Sequence, residues 1–118
     1  MSNNNSFSEI LKDVNRKLKY LFKDNLEEVK LFGSYARKDY DKDSDIDFYV
    51  LLNLDEKVIK KYERKVDDIS VDLMSKYGKL VSLILDNSEK FKKYSTYIPF
   101  YMNVQNEGVI IWEKKLPN

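Results

Sequence analysis

The stretch DIDFYVLL, Asp45 to Leu52, constrains this chain more than any other. Its aromatic and β-branched residues read as a β-strand, and a strand commits the chain to a sheet. Alternation along the strand puts Asp45 and Asp47 on one face and Ile46, Phe48 and Val50 on the other, so the apolar face is the one turned to a core. The two acids then need a reason of their own. Like charges held together repel, and a strand gains nothing from such a pair. A divalent cation resolves the conflict, because Mg²⁺ prefers oxygen ligands and is commonly held by one or two carboxylates together with substrate phosphates.

Upstream lies the other half of a site. EEVKLF reads as a short strand ending at Gly33, followed by Ser34 and a short helical segment that carries Arg37 and Lys38. A strand that turns into a helix at a glycine lets backbone N–H groups and a hydroxyl approach a phosphate, with the positive end of the helix dipole behind them. Arg37 and Lys38 can neutralise phosphate charge. Together the two segments predict a metal-nucleotide site, made from a strand-turn-helix and a neighbouring carboxylate strand.

The rest of the composition narrows the chemistry. The 118 residues include no cysteine and no histidine, which removes thiol nucleophiles, disulfides, thiolate zinc sites and imidazole bases. Carboxylates, cations, hydroxyls or a bound hard metal remain. With 21 basic and 20 acidic residues, no large field of one sign drives nonspecific binding to nucleic acid or anionic lipid, whereas a phosphate-bearing small molecule still fits. No apolar run approaches a membrane span, and MSNNNS is polar where a signal peptide is basic then apolar, so a cytoplasmic location is expected.

A polar tail over residues 1–5 precedes one domain over 6–118, in which 42% hydrophobic residues suffice for a core. Ser6 and Glu9 have capping-box spacing, and Phe7, Ile10, Leu11, Val14, Leu18, Leu21 and Phe22 predict a helix from Phe7 to Lys23. Val58, Ile59, Tyr62, Val66, Ile69, Leu73, Met74 and Tyr77 predict one long helix stopped at Gly78. KLVSLIL reads as a third strand, NSEKFKKYS as a short helix, and a further helix begins near Pro99. GVIIW is either a last strand or a buried extended tail. The expected fold is α/β (α+β), a small mixed sheet with helices packed on it. Tyr94, Tyr97, Phe100 and Tyr101 are expected in a core or partner interface, and the lysine-rich stretches on wet helix faces.

Gly33-Ser34, ten intervening residues, then Asp45-Ile46-Asp47 resembles the pattern of polymerase-beta-like nucleotidyltransferases. FGSYARKDYDKDSDID is similar to their usual FGSxARGxxxxxSDID, and the likeness to a minimal nucleotidyltransferase (MNT) domain runs from Leu26 to Trp112. The resemblance implies that Asp45 and Asp47 bind Mg²⁺, that Gly33 and Ser34 hold the triphosphate of ATP, and that a nucleoside monophosphate is transferred as pyrophosphate leaves. Freestanding domains of this size resemble the antitoxin half of HEPN/MNT toxin-antitoxin pairs, in which the MNT protein adds AMP to a tyrosine of the HEPN ribonuclease. Fully equipped members carry a third carboxylate on the third strand, a position that falls here on Ser82. Asp86 lies on the same face about 13 Å further along and is an imperfect substitute. Two rival readings remain: a degenerate relative that neutralises its partner by binding alone, and a small-molecule nucleotidyltransferase.

Overall fold

The hairpin of β1 (Leu26–Phe32) and β2 (Ile46–Leu52) is the frame on which everything else is hung. The strands pair antiparallel, with Phe32 opposite Asp47 at the open end. β3 (Val81–Asn87) returns parallel to β2, with Val81 opposite Ile46 and Ser82 opposite Asp47, and β4 (Val109–Glu113) pairs antiparallel with β1. The strand order β3-β2-β1-β4 makes a four-stranded mixed sheet, as expected for the α/β class. The computed structural model describes residues 3–115. Among them are also helices α1 (Asn3–Phe22), α2 (Ser34–Arg37), α3 (Glu56–Lys60), α4 (Glu63–Tyr77), α5 (Ser88–Tyr94) and α6 (Pro99–Glu107).

Both sheet faces are covered, and unequally. On one, the alternate residues Val29, Ile46, Phe48, Val50, Leu52 and Val81 join Ile10, Val14, Leu18 and Phe22 of α1 and Val66 and Leu73 of α4 in the main core. On the other, Tyr49 and Leu51 are buried with Phe91 of α5 and Val104 of α6. β2 is therefore fully enclosed from Phe48 to Leu52, while Asp47 is left half-exposed at its end.

Several boundaries differ from those expected. α1 begins at Asn3, within the stretch expected as a polar tail, so Ser6 lies inside it and is not its cap. Residues 1, 2 and 116–118 lie outside the described residues. The single helix predicted over Val58–Tyr77 is two. The chain tightens at Lys61 and Tyr62, whose N–H groups donate to the carbonyls of Val58 and Ile59 (3.0 and 2.9 Å), and then restarts. The apolar period runs through this break because both segments pack on the same sheet face. Met74 is exposed instead of buried. Gly78 does end α4 in the left-handed conformation, φ 70°. GVIIW forms a strand at the sheet edge, with Val109 and Ile110 about half exposed.

One buried charge was not foreseen. Asp13 of α1 is 8% exposed and accepts bonds from the Tyr77 hydroxyl, Lys76 (2.9 Å) and Arg16 (2.6 Å), tying α1 to α4. These bonds, the Tyr77 hydroxyl foremost, hold its carboxyl well below the ordinary value of 3.8. Asp13→Ala is expected to destabilise the fold by about 1–3 kcal/mol at neutral pH. The folded-state pKa is depressed, so this contribution is complete above the unfolded value and fades as pH falls from about 4 toward the lower folded value. Urea melts of wild type and Asp13→Ala should differ most at pH 7, with a gap that begins to narrow below about pH 4 and is still narrowing at about pH 2; a gap that stays constant over that range refutes the linkage.

Candidate functional site

The site begins with a turn only glycine can make. Gly33 has φ 76° and ψ −154°, a region closed to other residues in practice. Because Phe32 stands opposite Asp47, the turn is pressed against the acid: a Cβ on Gly33 would lie 2.5 Å from Asp47 Oδ2. The Gly33 carbonyl accepts the N–H groups of Ala36 and Arg37, both at 3.1 Å, starting α2 at Ser34. Tyr35 anchors this short helix. It stacks between Phe7 and Tyr40, at centroid distances of 5.2 and 4.1 Å, and packs with Ala36 on the main core. Tyr35 is thus a packing residue.

Asp45 lies one residue before β2 rather than within it, and is exposed. Its charge still reaches Asp47, whose pKa is pushed up first by burial and then by Asp45, with Arg37 opposing. Arg37 is itself shared: Nε lies 3.2 Å from Asp39 Oδ2, and Nη1 3.7 Å from Glu107 Oε2 at the end of α6. Gly33, Asp45, Asp47 and Arg37 are therefore brought together as expected, with Ser34 following directly on Gly33. Lys38 is not part of the group. It is an exposed residue that closes α2 at φ 65°, a left-handed position that suits the glycine of FGSxARG better than a lysine.

Ser82 stands beside Asp47 on the same face, as the alternation of Val81, Leu83 and Leu85 required. Asp86 does not substitute for a third acid. It is 6% exposed, accepts from the Tyr49 hydroxyl and from the Asn87 N–H (2.8 Å), and pairs with Lys90 at 3.2 Å. Burial, then Asp86, pushes the Tyr49 hydroxyl pKa up, and Lys90 continues the chain to Glu56 at 2.7 Å. Asp86 thus fastens α5 to the sheet. Among the described residues no cluster of three acids, histidines or cysteines is placed to hold a metal. A cavity of about 660 Å³ opens on the other side of the sheet, between Phe7, Tyr35, Tyr40, Ile46 and Tyr77, and shares no residue with this cluster.

Glu107 and the Tyr49–Asp86–Lys90 chain escaped the sequence reading. Each carried a signal: Glu107 is an acid in the last turn of a helix, where the dipole disfavours it, and Asp86 is a charge in an apolar strand.

The model of the family described as "Nucleotidyltransferase domain" matches residues 8–111. The chain belongs to the nucleotidyltransferase domain family. Two curated proteins of Methanocaldococcus jannaschii are similar to it, both named "Putative protein adenylyltransferase". MJ0141 is 38% identical over 101 residues and MJ0604 31% over 102, each alignment covering 86% of this chain and 94% of the relative. Among solved structures, a toxin-antitoxin crystallised with AMP-PNP aligns with a TM-score of 0.54 at 25% identity, over 97% of this chain and 76% of that one. The fold thus agrees with the family. Among the described residues of this nucleotidyltransferase, no helix is long and apolar enough to cross a membrane.

Proposed function

We propose that this nucleotidyltransferase transfers AMP from ATP to a tyrosine of a partner HEPN ribonuclease, silencing it as an antitoxin in the cytoplasm. The observation that carries the reading is the Gly33 turn packed against Asp47, with Asp45 adjacent, on the open end of a sheet face. The protein adenylyltransferase names of the relatives and the toxin-antitoxin structure point the same way.

The donor set fits Mg²⁺: Asp45 and Asp47 are neighbouring hard oxygen donors, and Asp47, whose pKa is raised by burial and then by the charge of Asp45, is in need of a cation. Asp45 and Asp47 would hold the ion, which when bound draws charge from the triphosphate and eases departure of pyrophosphate. Gly33 offers close backbone approach, and Ser34 its amide and hydroxyl, to phosphate oxygens. Arg37 can turn from Glu107 to the triphosphate, since an exposed pair at 3.7 Å holds it weakly.

A second reading, neutralisation by binding alone, is favoured by one feature, the serine beside Asp47 where an acid is expected. Intact mass of the co-purified partner after incubation with Mg²⁺-ATP separates the two. An added AMP is expected; an unmodified partner in a tight complex favours the binder.

A further inference from the structure

One aromatic ring beside the site is packed on one side only. Phe100, in the first turn of α6, sets its ring against Tyr49 and Tyr101, at centroid distances of 6.2 and 5.5 Å, yet remains half-exposed. The helical period divides its neighbours. Tyr101 and Val104 turn to the cluster around Tyr49, whereas Phe100, Asn103 and Glu107, at i, i+3 and i+7, share the next face round the helix. Glu107 fixes where that face looks, because it meets Arg37 at the open end of the sheet. Phe100 therefore looks the same way, seven residues or about 10 Å along the helix from Glu107. β3 adds Ile84, which stands beside Tyr49 in register and is exposed on the sheet face that carries Asp47 and Ser82.

Given the adenylyl-transfer reading, on which this rests, we infer that Phe100 is the platform on which the donor nucleotide lays its base, with Ile84 beside it. The direction follows from the geometry of displacement. Gly33 and Ser34, on the β1 side, take the departing pyrophosphate, so an acceptor attacking in line comes from the opposite side, past Ser82 on β3. The nucleoside hangs from the α-phosphorus across that axis, and hence lies along the strands. Toward Asp45 the strands give way to the exposed, charged turn DYDKD, a poor surface for a base. The other way, two residues from Asp47 and about 7 Å on, stand Tyr49 and Ile84 with Phe100 against them. A purine gains there by leaving water and by stacking on the bare side of the ring. α6 then flanks the whole nucleotide: its C-terminal end holds Arg37 near the phosphates, and its N-terminal end offers Phe100 to the base.

The test compares Mg²⁺-ATP with Mg²⁺-tripolyphosphate, which keeps the phosphates and lacks the nucleoside, by calorimetry on the full chain. Phe100→Ala is expected to weaken ATP on the order of 10-fold and to leave tripolyphosphate unchanged, since only ATP brings a base to stack. Phe100→Leu, which keeps apolar bulk without the π-face, should lose a comparable share, and Phe100→Trp should bind ATP at least as tightly as wild type. A half-exposed ring can be exchanged in this way without emptying the core. An equal loss for both ligands in Phe100→Ala overturns the inference, because the ring then serves the phosphates or the fold. Tripolyphosphate binding that needs Asp45 and Asp47, with ATP affinity indifferent to Phe100, sinks this inference alone and leaves the ring to a protein partner. A wild type that binds neither ligand sinks the proposed nucleotide chemistry with it.

Discussion

Changing Asp45 and Asp47 together to asparagine is expected to remove Mg²⁺-dependent ATP binding, lowering affinity measured by calorimetry by about 100-fold or more, about 2.8 kcal/mol. The two carboxylates are the acids of the open sheet face not already engaged, and they lie close enough for the charge of one to raise the pKa of the other. Asparagine keeps the oxygen but not the charge, so the triphosphate loses the cation that offsets its own charge. The fold should not suffer. Asp47 is disfavoured as an anion where it stands, and neutralising both residues relieves repulsion, so the melting temperature should hold or rise. Unchanged Mg²⁺-dependent affinity would rule the site out, and a collapsed melting temperature would show that the acids serve the fold instead.

The difference between what could be read from the sequence and what could not follows the range of the interaction. Gly33-Ser34 and Asp45-Ile46-Asp47 are local patterns: strand alternation alone fixes the faces of Asp47 and Ser82, and the register in β2 and β3 bears that out. The stripe of α1 was equally legible, since Ile10, Val14, Leu18 and Phe22 are all buried. Failures arose where a distant partner decides. A period of 3.6 cannot show that the helix breaks at Lys61 and Tyr62, because the apolar face is continuous across the turn. Asp13 could be suspected, as a charge three residues after Ile10 on the buried side, but its partners Lys76 and Tyr77 lie a helix away. Asp86 likewise looked available for chemistry until the fold placed the Tyr49 hydroxyl and Lys90 against it.

Gly33→Ala should damage stability and the site together, for two separable reasons. The first is conformational: φ 76° with ψ −154° is a glycine region, and a side chain held there costs about 1–3 kcal/mol. A loss near the middle of that range lowers the melting temperature by on the order of 8–10 °C in a domain of this size, which leaves it folded at 25 °C. The second is a collision, because the new Cβ would stand 2.5 Å from Asp47 Oδ2, so the carboxylate or the turn must move. Either movement disturbs the placement of metal ligand and phosphate cradle, and ATP affinity should fall even at temperatures where the variant is fully folded. A double-mutant cycle separates the causes. In an Asp47→Ala background the methyl group meets no carboxylate, so the cost of Gly33→Ala should shrink to the conformational part, leaving a coupling of roughly 0.5–3 kcal/mol. Equal costs in both backgrounds would mean that the turn does not press on Asp47. Normal ATP affinity in folded Gly33→Ala would remove Gly33 from the site, and with it the reason for placing a phosphate at this turn.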